Sequence, residues 1–364
     1  MKTDIEWTAL QELSFRLSAP GVDPGSIPEL EWKIIAHTLS ELLTRKDWNG
    51  VLQLRRTFTD LYANDSMTGL PVLQQLDQDA ITAARSLGRM ADLAHLLGAK
   101  GHNLHRQGFH TQALEAFEES ANSYRIAGNE RQALENFYMT SLCHRALGDR
   151  ERARQVLQDV LEQTSSNDPW RAHPLQVLAW LSQDSGNLPA AEALLRQALS
   201  LFRILPKSDL LIAGALADLG EIVGILGRFQ EARLLFEESL ALFPAHKGQF
   251  NRQEARAALK YSELLMQHGQ YTVVEQLLNQ ADDKISRYGH YYDLLWQIEL
   301  ARAFVFLRTG RFRFCLFKLR SVFRIRRLLG LSNILLVQYV SKRYLQRLFH
   351  SMKRFFRLQI EKSR

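Results

Sequence analysis

At 364 residues, with 46% hydrophobic and 23% charged residues, the chain can bury a large core and is too apolar to be disordered. Its two cysteines, Cys143 and Cys315, stand far apart and outside any CxxC pair, which argues against a disulfide framework or thiolate metal site and makes a reducing cytoplasm the expected location. The net charge of +7 hides an asymmetry: residues 302–364 hold seventeen Lys or Arg against one acid, Glu361, so the first 301 residues carry nine more acids than bases.

Asp4 and Glu6 fall where a signal peptide needs an uninterrupted apolar run, and no stretch approaches the ~20 apolar residues of a membrane span. Ile5 to Leu17 follows a helical pattern that the Pro/Gly-rich segment Ala19 to Pro28 cannot continue. A helical pair is expected at 30–45 and 48–62, then a break at 64–71 and a helix at 73–87. Residues 1–29 thus read as a helix and linker, and 30–88 as diverged helical repeats, with a separate small helical bundle as the alternative. An array at 89–329 and a basic helix at 330–364 follow.

The array announces itself by period. Gly108, Gly148, Gly186, Gly227, Gly269 and Gly310 fall 40, 38, 41, 42 and 41 residues apart, and neighbouring offsets agree. Seven residues before each glycine stand Gly101, Ser141, Ala179, Gly220, Ser262 and Ala303, all small. Five after it come Ala113, Ala153, Ala191, Ala232, Val274 and Cys315; nine after it, Phe117, Leu157, Leu195, Phe236, Leu278 and Leu319; twelve after it, Ser120, Val160, Ala198, Ser239, Ala281 and Val322. A helix running to a permissive glycine, followed by a second helix, satisfies this pattern. Small residues let the two axes approach, and the larger residue at +9 fills the layer between hairpins. No hairpin buries its apolar face alone, so the units must stack.

These residues resemble the tetratricopeptide repeat, with its small residue in the first helix, turn Gly, and Ala, aromatic or Leu, and Ala in the second. The Pro expected after the second helix survives only as Pro244, and the period exceeds the family's usual length. The longer spacing is similar to arrays attached to bacterial signal-transduction ATPases and large transcriptional regulators, here without a nucleotide-binding module. The resemblance implies an all-α, right-handed α-solenoid with a basic amphipathic C-terminal cap. It also implies a concave groove that binds a protein or peptide.

Carried through the array, the family's inner-surface offsets select one set of residues per repeat. The first repeat offers His95, His102 and His105; the second Glu135, Leu142 and Arg145; the third His173, Trp180 and Gln183. The fourth offers Gly214, Glu221 and Gly224, the fifth Arg256, Glu263 and Met266, and the sixth Gln297, Phe304 and Leu307. The family's Lys/Asn clamp for peptide carboxylates is not reproduced at these positions. Trp180 is read either as an exposed anchor, giving much contact area at little entropic cost, or as a residue packed between repeats.

Common phosphate-cradling, zinc, nucleophile and calcium motifs are absent, so no enzyme, cofactor or metal is expected. The three histidines of the first repeat are the nearest thing to a metal cluster. Yet His95 and His102 are about 10 Å apart along one helix, and no Cys or clear carboxylate accompanies them in sequence. Solvated groove residues are the expected reading.

The basic end begins with a helical pattern from Arg311 to Leu329. Phe312, Cys315, Leu316, Leu319, Val322 and Phe323 form its apolar set, and Arg313, Arg320, Arg324 and Arg327 fall on another face. A final helix starts after Ser332 or Asn333, with Arg343, Arg347, Arg354 and Arg357 in one stripe opposite Tyr344, Leu345, Leu348, Phe349, Met352, Phe355 and Phe356. This end reads as a cap, as a surface for nucleic acid, as a helix for an anionic membrane or as a dock for an acidic protein. The expectation is a non-enzymatic adaptor whose groove takes a protein or peptide and whose basic end meets an acidic partner. A nucleic-acid-binding accessory protein and a ligand-sensing regulator are the alternatives, and the oligomeric state is left open.

Overall fold

The computed structural model describes residues 7–18, 28–59, 71–243, 252–288 and 292–328. Among these, sixteen α-helices and no strand are found. The chain divides into two compact units, Met1–Ser166 and Asn167–Arg364.

The first unit opens with α1 (Trp7–Leu17), α2 (Glu29–Thr44), α3 (Trp48–Thr57) and α4 (Pro71–Ser86). The helix expected at 48–62 ends earlier, where Phe58 leaves helical geometry. One buried cluster runs from Leu10 through Ile35, Leu54 and Leu76 to Leu97, with Trp7, Trp32 and Trp48 packed partly buried against it. The guanidinium of Arg55, buried between α3 and α4, is held by Asp77.

Then come six hairpins: α5 (Met90–Gln107) with α6 (His110–Ile126) and α7 (Glu130–Leu147) with α8 (Arg150–Gln163) in the first unit. The second unit holds α9 (Ala172–Asp184) with α10 (Leu188–Phe202), α11 (Asp209–Ile225) with α12 (Phe229–Leu242), α13 (Arg252–Gln267) with α14 (Tyr271–Tyr288), and α15 (Tyr292–Arg308) with α16 (Phe312–Leu328). Each expected glycine sits at its turn with φ between 73° and 87°, the left-handed region where a Cβ is strained. At Gly108 the turn closes by Phe109 N donating to Leu104 O at 2.9 Å, which satisfies a carbonyl the helix end would orphan.

The frame of small and large residues holds in burial. The +5 residues from Ala113 to Val274 are 0% exposed, and Ser141, Ala179, Ser262 and Ala303 are all buried at −7. A Cβ added to Gly101 would lie 2.8 Å from the Phe117 ring, and one on Gly220 would lie 3.1 Å from Phe236. The two hairpins with Gly at −7 carry Phe at +9; the other four pair Ser or Ala with Leu. In both Gly/Phe hairpins the +12 serine donates across the crossing, Ser120 Oγ to Ala94 O at 2.6 Å and Ser239 Oγ to Ala213 O at 2.7 Å.

On α16 the apolar pattern differs from expectation. Cys315 and Val322 are buried as expected, but Phe312, Leu316 and Phe323 are exposed. Ile325 and Arg326 are buried instead, the guanidinium of Arg326 lying 4.8 Å from the Trp296 ring centroid. The inward face is therefore rotated toward Val322 and Ile325, because α15 packs there. Pro244, the final helix and its residues Arg343, Arg347, Arg354 and Arg357 lie outside the described residues.

Gly101→Ala should lower stability by about 1 kcal/mol net, because overpacking against Phe117 of about 1–3 kcal/mol exceeds the ~1 kcal/mol gained in helix propensity. Combined with Phe117→Leu, the change should cost less than the two singles added, since Leu is what faces the Ser or Ala hairpins. Denaturant midpoints of the four proteins in this cycle measure the coupling; strict additivity would show that the two positions do not meet.

Candidate functional site

In the second unit, the first helices of three successive hairpins meet in a polar network. Asp218 on α11, 8% exposed, sits in a mostly apolar helix, and its carboxylate is surrounded by donors. Its Oδ2 accepts from Trp180 Nε1 at 2.8 Å and Gln176 Nε2 at 2.9 Å, both on α9. Its Oδ1 accepts from Lys260 Nζ on α13 at 2.6 Å. Lys260 Nζ also lies 2.8 Å from Glu221 Oε2, one helical turn along α11 from Asp218. Burial pulls the Lys260 pKa down, but the Asp218 and Glu221 carboxylates outweigh it and hold the ammonium above its ordinary range. Lys260 is thus a fixed cation shared by two carboxylates.

Trp180 combines features of both readings: it reaches the next repeat while keeping part of its ring exposed. It is half-buried, with its N–H committed to Asp218. Glu221 joins the same network, whereas Glu263 is buried, which corrects its expected place on the groove lining. Arg256 is exposed one turn from Lys260, and Phe304 is half-buried on α15. His173 packs edge-on against Phe202, with ring centroids 5.1 Å apart. Sequence reasoning missed Gln176, Asp218 and Lys260 because the offsets carried over from the family skip their row.

A second polar group stands in the terminal hairpin. Arg302, buried on α15, reaches Asp282 Oδ2 at 2.6 Å and Glu299 Oε1 at 3.0 Å, and Lys318 of α16 donates to the same Glu299 oxygen at 2.8 Å. Its charges are mutually compensated.

In the first unit, the expected histidines separate. His95 is exposed, and Leu142 and Arg145 are half-buried. His102 turns its ring edge onto Phe117 at 5.0 Å. His105 is not the solvated residue expected: its ring lies 5.0 Å from that of His110, and its Nδ1 is 3.6 Å from Cys143 Sγ. The fold thus supplies the nearby cysteine that sequence spacing did not reveal. Burial pushes the Cys143 thiol up to about 11, so it stands as a neutral thiol beside the His105 ring. Burial, aided by Arg106 for His102 and by His110 for His105, lowers both imidazole pKa values. Among the described residues, no three His, Cys, Asp or Glu side chains gather as a metal site. No helix among them is long and apolar enough to cross a membrane.

The tetratricopeptide repeat family model matches residues 178–245, which span α9 to α12. No curated protein matches the sequence. Among solved structures, a Rap protein complexed with competence and sporulation factor is similar in fold, at 15% identity and TM-score 0.54, covering 90% of this chain and 99% of its own. NprR in complex with its cognate peptide NprX is similar at 13% identity and TM-score 0.54, covering 98% and 96%. Apo RapI is similar at 10% identity and TM-score 0.55, covering 82% and 99%.

Asp218→Ala should cost about 2–4 kcal/mol, because it strips the acceptor from Trp180 and Gln176 and leaves Lys260 half-compensated. Asp218→Leu with Lys260→Met should recover in thermal midpoint only the part of that loss due to the uncompensated ammonium, because Trp180 and Gln176 still lack their acceptor. A pH dependence follows from the histidines. Their folded-state pKa values are depressed, so their contribution is complete above the unfolded value of about 6.5 and is lost as pH falls below it. The denaturant midpoint should drop between pH 7.5 and 5.5, and should drop less in the His102→Gln, His105→Gln double variant; equal drops would place the titration elsewhere.

Proposed function

We propose that this tetratricopeptide-repeat protein is a non-catalytic scaffold that takes a peptide segment of a partner across the first helices α9, α11 and α13, and that its basic end engages an acidic partner. At the coarse level the fold supports this, since stacked helical hairpins of this family are protein-interaction scaffolds. The Rap structure, complexed with competence and sporulation factor, and the NprR structure, in complex with its cognate peptide, support the finer reading by likeness of fold.

The observation that carries the proposal is the Trp180, Asp218, Lys260 and Glu221 network. Well-packed apolar residues would stabilise this region equally well or better, since desolvating the charges offsets most of their attraction. A fixed ammonium between two carboxylates beside a half-buried indole instead suits recognition: rigid, preorganised polar groups flank a ring that offers contact area. The exposed guanidinium of Arg256 extends the same row.

Peptides selected from a random library against the full chain provide the test. Trp180→Ala should weaken the selected peptide about tenfold or more, as expected for an aromatic anchor, while the helical circular-dichroism spectrum stays unchanged. Undiminished binding would remove this face from the site. Loss of helicity together with binding would show that Trp180 serves only packing.

A further inference from the structure

The solvent side of α16 carries four arginines that have no partner among the described residues. Arg313, Arg320, Arg324 and Arg327 are all exposed, and none forms an ion pair or hydrogen bond with another described residue. Elsewhere in the array several guanidinium groups are held, Arg196 by Glu231 at 2.5 Å, Arg203 by Glu238 at 3.1 Å and Arg311 by Glu275 at 2.7 Å, and on α8, where Arg150 and Arg152 have no such partner among the described residues, Asp149 and Glu151 stand beside them in sequence. Even on α16, Lys318 is taken by Glu299.

Large apolar side chains stand among these cations. Phe312 is 61% exposed, Leu316 61%, Phe317 65% and Phe323 52%. At 3.6 residues per turn, the seven-residue spacing of Arg313, Arg320 and Arg327 runs them down the middle of the face opposite Val322. Leu316 and Phe323 border this ridge on one side, and Phe317 and Arg324 on the other.

That order discriminates among anionic surfaces. A helix lying on a membrane needs its apolar groups central and its cations marginal, which is the reverse of α16. Duplex nucleic acid offers phosphates but hides its base faces, so the phenyl rings would stay wet. A single strand offers both, with phosphates for guanidinium forks and unstacked bases for rings. Past α16 the sequence carries eight more Lys or Arg against Glu361, so charge complementarity to a polyanion continues in the chain.

We infer that the solvent face of α16 binds single-stranded nucleic acid, with Arg313, Arg320, Arg324 and Arg327 on phosphates and Phe317 and Phe323 stacked on bases. This rests on the reading that the basic end meets an acidic partner, and it names that partner's chemistry.

The experiment uses the full chain and fluorescent oligodeoxythymidine and oligouridine, with duplex DNA, polyglutamate and phosphatidylserine vesicles as competing probes, at two salt concentrations. The single strands should bind at least several-fold more tightly than any other probe. Phe317→Ala with Phe323→Ala should weaken the single strands about tenfold or more through lost stacking, while leaving polyglutamate binding unchanged. Charge reversal of the four arginines to Glu should abolish binding, and single Arg→Ala changes should flatten the salt slope by about 0.7 each. All of these positions are exposed, so helicity serves as the folding control. Equal or tighter binding of duplex, polyglutamate or vesicles, insensitive to the phenylalanines, would overturn the single-strand assignment and keep the acidic-partner reading. No binding to any probe at low salt would overturn both, and normal binding by the charge-reversed variant would move the site off α16.

Discussion

Each hairpin depends on how closely its two helices can approach at one crossing, and the chain solves that crossing in two ways. Where position −7 is Gly, as at Gly101 and Gly220, the backbone leaves room for a phenyl ring at +9. Where it is Ser or Ala, Leu suffices, and the summed volume of the layer is roughly kept. The same two Gly/Phe hairpins place a serine at +12 whose hydroxyl reaches a backbone carbonyl on the facing helix. A missing Cβ, a larger ring and a crossing hydrogen bond thus form one correlated solution. Changing one member without the others leaves a clash or a void.

The polar network of α9, α11 and α13 is built on this rigid spacing. Because the turn glycines keep the repeats in register, residues at equal offsets in successive hairpins fall beside one another. Asp218 and Lys260 each stand nine residues before a turn glycine, and Trp180 and Glu221 each stand six before one. Neighbouring columns of the repeat therefore bring an acid, a base and an indole together without any local motif. Such a site has no sequence signature of the kind that marks a phosphate loop or a zinc cluster.

That explains what could be read in advance. The hairpins, their turns and the buried column from Ala113 to Val322 were legible, because each is dictated by sterics within one repeat. Membership of the polar site was only half legible. Trp180 and Glu221 stood at offsets carried over from the family, but Gln176, Asp218 and Lys260 did not. The available signal was Asp218 and Glu221 standing three residues apart in the apolar run from Leu210 to Ile225, with a base one repeat later at the offset of Asp218. On α16 the periodicity correctly marked Cys315 and Val322 but could not say which flank α15 would cover. Phe312 and Phe323 therefore came out exposed and Ile325 buried. His105 shows the same limit, since its contact with Cys143 joins residues 38 apart.

Charge placement follows from the register as well. Arg85 meets Glu119, Arg203 meets Glu238 and Arg311 meets Glu275 across 34 to 36 residues, so several arginines are matched to acids about one repeat away. Each exposed pair adds little stability, yet together the pairs dispose of charge that would otherwise repel or attract other molecules. On α16 the acids stop while the arginines continue. Four guanidinium groups on one exposed helix face repel one another, and like-charge neighbours of this kind are destabilising in an isolated helix. Solubility needs far less positive charge than this, and mixed charges would meet that need without repulsion. An anionic partner of the kind proposed would remove that repulsion in the complex, so the free energy stored by the like-charged face would become part of the affinity.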